Sequence, residues 1–226
     1  MQPIDVVIVS FYKIHRLKAC INSVNMCLDY NADRLIIVDN SIGRAIKHTN
    51  AIRKYIAGVE RQNNHVTTRM NPGNHRFTTG TNEGISLGTN PYIFLVNNDT
   101  EVVDALTFMS MVEFMEKHPD VATLTPVTVH SNGNVYCSGA HGSGAHYRDI
   151  ITAPRNAEWN NFAFVCIRRN TIEKIGMLEV GHIALNGRKV LCEHFHSDEE
   201  WCRRATKAGY KHMVHPIIVR HYHREG

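Results

Sequence analysis

The chain has 226 residues, of which 43% are apolar and 20% charged, with a formal net charge of +4. This length allows one sizeable core more readily than two small ones, so we expect a single domain over residues 1–226. The small, dispersed charge gives no nucleic-acid signal, and no apolar run approaches the roughly 20 residues that span a bilayer. The N-terminus also lacks a signal-peptide pattern, which favours a soluble, cytoplasmic protein.

The first half of the chain alternates apolar, β-rich runs with stretches of helical periodicity. The strands expected from the apolar runs are Ile4–Ser10, Arg34–Asp39, His65–Met70 and Tyr92–Val96. Helices are expected between them, at 14–28, 45–57 and 78–87. This alternation predicts right-handed βαβ crossovers, and therefore an α/β fold with a Rossmann-like, mostly parallel central sheet flanked by helices.

The pattern changes after a helix expected at 105–117. Strands are expected at 121–129, 134–137, 162–168 and 213–219, a flexible loop at 139–144, and a helix from Ser197, as its N-cap, to about Ala208. Runs of strands that follow βαβ units predict a smaller mixed or antiparallel part, which packs on the same sheet and supplies the other wall of a cleft.

Polar residues follow three of the expected strands at the point where each strand ends. Ser10 ends the first strand, Asp39 ends the second, and Asn97, Asn98 and Asp99 follow the buried run Tyr92–Val96. Ligands of open α/β sheets bind outside the carboxyl ends of the strands, where an acidic residue after the second strand can contact a ribose or a base. We therefore expect a ligand site at this edge.

Phosphate groups of such a ligand would need a partner. No GxGxxG follows the first strand and no GxxxxGK[ST] occurs, so the usual phosphate-binding loops are absent. A divalent cation held by Asp99 would neutralise a diphosphate instead, and Mn2+ or Mg2+ suits a carboxylate ligand.

Several stretches then carry a resemblance to a known family. They are IVSFY at 8–12, IIVDNS at 36–41, NPGNHRFTTGTNEGI at 71–85, NND at 97–99, FAFVCIRRNTIEKIG at 162–176 and DEEWCRRATKAGY at 198–210. In this order they resemble the inverting family 2 glycosyltransferases with the GT-A fold, particularly the branch around rhamnosyltransferases. The resemblance covers nearly the whole chain. It implies transfer of a sugar from a UDP- or dTDP-linked donor to an acceptor hydroxyl, with residues 1–101 binding the nucleotide sugar and 102–226 the acceptor.

The resemblance also implies roles for individual residues. Asp198 would be the general base, and Asp99 and His221 would bind the metal. The donor-binding residues would be Ser10, Phe11, Tyr12, Asp39, Asn74, Asn82, Asn97 and Asn98. Three positions depart from the family pattern: Tyr12 replaces an Asn, Asn97 replaces the first Asp of the DxD metal motif, and Ser197 replaces the Glu before the base.

Acceptor-side residues are expected from side-chain chemistry and from the same motif. Trp159 and Trp201 are aromatic candidates for a sugar platform, and both are also candidates for the core. Glu200 matches the second acid of the family's helix motif, and His223 would share a strand face with His221. The acceptor itself could be a polysaccharide, a lipid-linked glycan, a protein or a modified DNA base, and a lipid-linked one would bring the chain to a membrane surface.

Three other functions are compatible with parts of the sequence. A nucleotidyltransferase would share the fold, but the Gly-rich, basic signature typical after the first strand is missing. A zinc hydrolase could use His194 and His196 with His221 and His223, although no HExxH occurs. A sugar-nucleotide or carbohydrate binder without catalysis is the third, and Asn97 in place of an acid favours it.

Overall fold

The structure is a computed structural model that describes residues 2–43, 46–185 and 187–222. Strands and helices alternate regularly in its first part, as the hydrophobic pattern predicts. Their bounds are β1 (Ile4–Ser10), α1 (Ile14–Asn25), β2 (Arg34–Asp39), α2 (Ile46–Gln62), β3 (Val66–Met70), α3 (Arg76–Leu87) and β4 (Tyr92–Asn97).

Shorter strands dominate the remainder. The elements are β5 (Thr100–Val102), α4 (Thr107–Lys117), β6 (Val121–Val129), β7 (Val135–Cys137), β8 (Ala140–His141), β9 (Ala145–His146), β10 (Arg155–Ala157), β11 (Phe164–Arg168), α5 (Arg169–Ile175), β12 (Gly181–Leu185), β13 (Arg188–Cys192), α6 (Ser197–Lys207) and β14 (Lys211–His221). The prediction of a flexible loop at 139–144 was wrong in part, because β8 pairs with β9 there in a small antiparallel sheet.

A ten-stranded sheet runs through the whole structure in the order β10-β14-β6-β11-β4-β1-β2-β3, with β5 beside β14 and β7 beside β6. Strands β4, β1, β2 and β3 are parallel, as are β14 and β6. Strand β11 is antiparallel to both of its neighbours and joins the two parallel groups. The predicted α/β fold with a mixed second part is therefore confirmed.

Helices cover both faces of this sheet, which explains why β1, β2 and β4 are apolar on successive residues. One face packs against α1, α2 and α4, where Phe94 and Phe108 meet edge to face with ring centroids 4.7 Å apart. The other face packs against α3, α5 and α6, and it includes the fully buried Trp201. Within the described residues, no helix has both the length and the apolar character needed to cross a membrane.

Candidate functional site

The carboxyl ends of three neighbouring strands meet at one edge of the sheet. Ser10 at the end of β1 lies opposite Asp39 at the end of β2, and Val9 lies opposite Asn97 at the end of β4. This register follows from parallel pairing of buried strands, in which a shift by one residue would turn apolar side chains to the wrong face. The polar residues that the sequence placed after these strands therefore lie side by side.

The turn after β4 is fastened to its surroundings through its own side chains and backbone. Asn98 donates from Nδ2 to the carbonyl oxygen of Tyr12, 3.0 Å away. The carbonyl oxygen of Asn97 accepts a hydrogen bond from Thr100 Oγ1 at 2.6 Å, and that of Asp99 accepts one from the backbone N–H of Tyr222 at 2.9 Å. The loop that carries Asp99, between β4 and β5, is thus bonded to the segments that follow β1 and β14.

His221 reaches Asp99 from the end of β14. Its side chain is only 2% exposed, and its Nε2 lies 3.2 Å from Asp99 Oδ1. Pairing of β5 with β14 sets this distance, because it puts His221 opposite Thr100, the residue after Asp99. A carboxylate oxygen and an imidazole nitrogen are both donors that Mn2+ accepts. Among the described residues no third His, Cys, Asp or Glu joins them, so the remaining ligands of a metal here would come from substrate or water.

Asp198 lies in the first turn of α6 and shares a small pocket, of about 90 Å³, with His221 and Asn97. Its Oδ1 accepts a hydrogen bond from the backbone N–H of Glu199 at 2.9 Å. Burial raises the pKa of the Asp198 carboxyl group, backbone hydrogen bonds oppose this rise, and the charge of Glu199 adds to it. A carboxylate with a raised pKa is a stronger base than an ordinary aspartate, which suits removal of a proton from a hydroxyl.

A buried histidine holds α6 in position against the sheet. One ring nitrogen of His212 on β14 lies 2.7 Å from Thr123 Oγ1 on β6, and the other lies 2.8 Å from the carbonyl oxygen of Cys202 on α6. Burial lowers the pKa of His212 to about 4, so the ring is neutral near pH 7 and can both donate and accept. The helix that carries Asp198 is therefore bonded to two strands of the sheet.

The sequence model of the family described as glycosyl transferase family 2 matches residues 5–195. The chain belongs to this family. The match covers β1 through β13 and therefore includes both the strand ends and the acidic turn after β4.

Solved structures with a similar fold are glycosyltransferases. GalNAc-T7, solved with UDP, GalNAc and Mn2+, superposes with a TM-score of 0.77 at 14% identity and covers 98% of this chain. A mannosyltransferase from Pyrobaculum calidifontis, in complex with GDP-Man and Mn2+, gives 0.68 at 11% identity over 98% of the chain. S. aureus TarS 1–349 in complex with UDP-GlcNAc gives 0.70 at 12% identity over 100%. Their low identities support the GT-A fold alone.

These proteins are longer than the chain described here. The chain spans 44% of the GalNAc-T7 structure, 57% of the mannosyltransferase and 60% of TarS 1–349. No curated protein matches the sequence significantly.

Several expected donor-binding residues of this family member are buried or occupied by contacts within the protein. Asp39 is fully buried, and its carboxylate accepts hydrogen bonds from Ser41 N, Ser41 Oγ and Arg53 Nε. Ser10 is also fully buried. Asn82 binds the backbone of Leu178 with both side-chain atoms, at 2.8 and 3.1 Å. Asp39 and Ser10 therefore present no exposed surface to a donor, whereas Asn82 is partly exposed and both of its side-chain polar atoms are already bonded.

The remaining donor-side candidates are accessible. Asn74 uses Oδ1 to accept from the backbone N–H of Arg76 at 2.9 Å and so shapes the start of α3. Tyr12 is 42% exposed, and its ring lies edge to face with His48 at 6.2 Å. Phe11 is partly buried beside it.

The acceptor-side residues do not cluster as expected. Trp201 is fully buried and donates from Nε1 to the carbonyl oxygen of Gly176, so it offers no face to a sugar and is a packing residue. Trp159 is 4% exposed. Glu200 lies outside the Asp198 pocket and pairs with Arg204 at 2.7 Å. His223 lies outside the described residues. Ser197, expected to cap α6, is its first helical residue, and His196 precedes the helix.

Aromatic residues that the sequence did not single out line the Asp198 pocket. They are Phe77 at the start of α3, Tyr136 on β7, and Phe195 in the loop before α6. Phe195 is 67% exposed, so most of its ring is accessible to a ligand. No periodicity marks Tyr136 and Phe195, because each comes from a short strand or loop, and Phe77 in the first turn of α3 reaches the pocket only through tertiary packing.

Three residues at this edge have left-handed backbone conformations although none is glycine. Lys13 precedes α1, Arg76 begins α3 and His196 precedes α6, with φ values of 60°, 65° and 70°. Such conformations cost about 1–3 kcal/mol each and tend to occur at ligand sites. Their location at three helix starts supports the strand-end edge as the functional surface.

Proposed function

We propose that the chain transfers a sugar from a nucleotide-diphosphate donor to an acceptor hydroxyl, with inversion at the anomeric carbon. The observation that supports this most is the convergence of Asp99, His221 and Asp198 from three distant parts of the chain. Two of these side chains have the chemistry of metal ligands and one has that of a general base. The similar structures also contain ligands of this kind, namely UDP with Mn2+, GDP-Man with Mn2+, and UDP-GlcNAc.

Asp99 Oδ1 and His221 Nε2 would hold the metal, with diphosphate oxygens and water as its other ligands. The mixed oxygen and nitrogen set favours Mn2+ over Mg2+, which prefers oxygen alone. When bound, the metal offsets the negative charge that develops on the departing diphosphate. Asn97, which replaces the first Asp of the DxD motif, contributes a polar group, and Asn98 fixes the loop through its bond to Tyr12.

Asp198 would take the proton of the attacking acceptor hydroxyl. Inverting transfer requires attack opposite the leaving group, so the base must lie on the acceptor side of the donor sugar. We assign Asp198 to that side because α6 belongs to the second half of the chain, whereas Asp99 belongs to the loop after β4. Its raised pKa suits the role, since a general base works best with a pKa nearer the working pH.

The two halves of the chain divide the substrates in this proposal. Residues 1–101 bind the nucleotide sugar, with Phe11 and Tyr12 beside its nucleobase. Residues 102–226 bind the acceptor. The sequence likeness to rhamnosyltransferases favours a deoxysugar or hexose on UDP or dTDP as the donor. The acceptor supplies a hydroxyl group, on a polysaccharide, a lipid-linked glycan, a protein or a modified DNA base.

Nucleotide binding with and without metal tests the proposal. Calorimetry should give UDP or dTDP an affinity at least about tenfold higher with Mn2+ than with EDTA, because a metal held by Asp99 and His221 would add an attractive partner for the diphosphate. The variants Asp99→Ala and His221→Ala should lose this gain. Glu113→Ala, which removes an exposed carboxylate on α4, should keep it.

Equal affinities with Mn2+ and with EDTA in the unaltered protein would overturn the metal-assisted mechanism. Donor hydrolysis in the absence of acceptor separates an enzyme from a binder. Metal-dependent nucleotide binding without any hydrolysis or transfer would favour the binder, the function that Asn97 keeps open.

A further inference from the structure

Tyr136 on β7 lines the Asp198 pocket and also packs against His221, the proposed metal ligand. Its ring meets the His221 imidazole edge to face, with ring centroids 4.8 Å apart and planes at 78°. Aromatic rings prefer such an arrangement, which gains energy beyond the burial of apolar area. His221 therefore has an aromatic neighbour in addition to the carboxylate of Asp99.

A β-bulge brings Tyr136 to this position. Thr128 of β6 pairs with Cys137 of β7. Val129, the next residue on β6, pairs with Val135, so Tyr136 lies between the two pairs as an extra residue. A bulge changes the direction in which a side chain points, and bulges are frequent beside active sites. The irregularity of this ladder is thus located at the residue that contacts His221.

The same rung of the sheet positions His221. Val129 pairs with Val135 on β7 and with Arg220 on β14, so the end of β6 lies between the other two strands. Tyr136 follows Val135 and His221 follows Arg220. Backbone pairing therefore brings the two aromatic side chains close to each other at the end of β6.

The Tyr136 ring is itself held in place by two other imidazoles. It lies edge to face with His130 at 5.4 Å and with His146 at 5.8 Å between ring centroids. His221, in contrast, is the last residue of β14, and the χ2 torsion of a histidine has a broad energy minimum. Rotation about χ2 would turn Nε2 away from Asp99 Oδ1, which is 3.2 Å away. The edge-to-face contact favours one setting of this torsion.

We propose that Tyr136 is a positioning residue whose ring holds the His221 imidazole with Nε2 directed toward Asp99. The consequence for metal binding rests on the proposed function, in which His221 and Asp99 are ligands of Mn2+. Groups that orient a metal ligand raise metal affinity without touching the metal, because the ligand loses less freedom on binding. The orientation itself does not depend on the proposed function.

Nuclear magnetic resonance of the metal-free protein tests the orientation. His221→Gln identifies the Cε1–H signal of His221 among those of the 15 histidines. The ring current of Tyr136 shifts this signal, so it should move in Tyr136→Leu, which removes the ring, and keep its position in Tyr136→Phe. Tyr30→Leu is the matched control: Tyr30 stacks on a different histidine, His65, at 4.2 Å, so this variant should leave the His221 signal unchanged.

Calorimetry with Mn2+ at saturating UDP tests the consequence. Tyr136→Leu should weaken Mn2+ binding about three- to tenfold, the size expected for the loss of one aromatic pair. Tyr136→Phe and Tyr30→Leu should bind Mn2+ as the unaltered protein does. Melting curves show which variants are folded, and Tyr136→Met takes the place of Tyr136→Leu if the latter is not.

Three results would overturn the proposal: a His221 signal that does not move when the Tyr136 ring is removed, equal changes in Tyr136→Phe and Tyr136→Leu, or full Mn2+ affinity in Tyr136→Leu. Absence of Mn2+ binding in the unaltered protein would refute the metal assignment of the proposed function instead. The His221 signal would in that case still decide whether Tyr136 holds the imidazole.

Discussion

Replacing Asp198 by Asn removes a base from the proposed active site while changing little else. Asn keeps the size of the side chain, and its Oδ1 can still accept the hydrogen bond from Glu199 N that Asp198 receives at 2.9 Å. The helix start should therefore keep its conformation. What is lost is the ability to take a proton.

The expected loss in rate follows from that single change. General-base catalysis contributes about 10²- to 10⁴-fold, which corresponds to about 3–5 kcal/mol of the activation barrier. We expect kcat for transfer to fall by this factor, with nearly unchanged donor affinity, because the proposal assigns the metal and diphosphate to Asp99 and His221 and not to Asp198. Released nucleoside diphosphate gives kcat, and calorimetry with UDP gives the affinity.

Stability should change in the opposite direction to activity. Burial raises the pKa of Asp198, so its charged form is disfavoured in the folded state at neutral pH. Asp198→Asn should therefore melt at the same or a higher temperature at pH 7, and the difference should shrink as pH falls through the raised pKa of Asp198 and be gone once pH lies below the ordinary aspartate pKa. Asp120→Asn is the matched control: Lys211 lowers the pKa of Asp120, so this variant should gain no stability and should keep its kcat.

The pH dependence gives a third readout of the same residue. The base acts only when it is deprotonated, so activity should fall as pH drops through a pKa above the usual aspartate value. Near-normal turnover of Asp198→Asn, or a rate profile whose acidic limb is unaffected by the substitution, would refute Asp198 as the base.

Two further predictions concern packing around the strand-end edge. Asp39→Asn should lower the free energy of unfolding by about 1–3 kcal/mol, because Arg53 and Ser41 lose a buried charged acceptor. Unchanged stability in a urea titration, together with weaker UDP binding, would instead indicate that Asp39 contacts the nucleobase directly. Gly84→Ala should cost about 1–3 kcal/mol in urea unfolding, since its new Cβ would lie 2.3 Å from Val7 Cγ1, whereas Gly58→Ala on α2 has nothing within 4 Å and should be neutral or stabilising.

Much of the fold could be predicted from the sequence because its central strands are buried on both faces. Uninterrupted apolar runs mark β1, β2 and β4, and their observed bounds differ from the expected ones by at most one residue. Strands β5 and β10 were missed because three residues carry too little periodicity to stand out. The β12–β13 pair was missed for another reason: its exposed face mixes charged and apolar side chains, so the alternation is weak.

The candidate site was predictable only where local sequence determines position. Asp99 could be placed at the sheet edge because it directly follows a buried strand. The burial of Asp39 could not be foreseen, since it depends on Arg53, fourteen residues away on a helix. The same holds for Trp201: a tryptophan on an amphipathic helix can face solvent or core, and here the sheet covers it.

The position of β14 within the sheet has a consequence for how the molecule is made. This late strand lies between β10 and β6, so the earlier β10 cannot join the sheet until β14 has been synthesised and inserted. Its end also carries His221, the partner of Asp99. On a ribosome adding about 5–20 residues per second, the parallel strands β1–β4 emerge several seconds before β14. A nascent chain could thus fold its first strands early, yet it would bring Asp99 and His221, the proposed metal ligands, together only after β14 has joined the sheet.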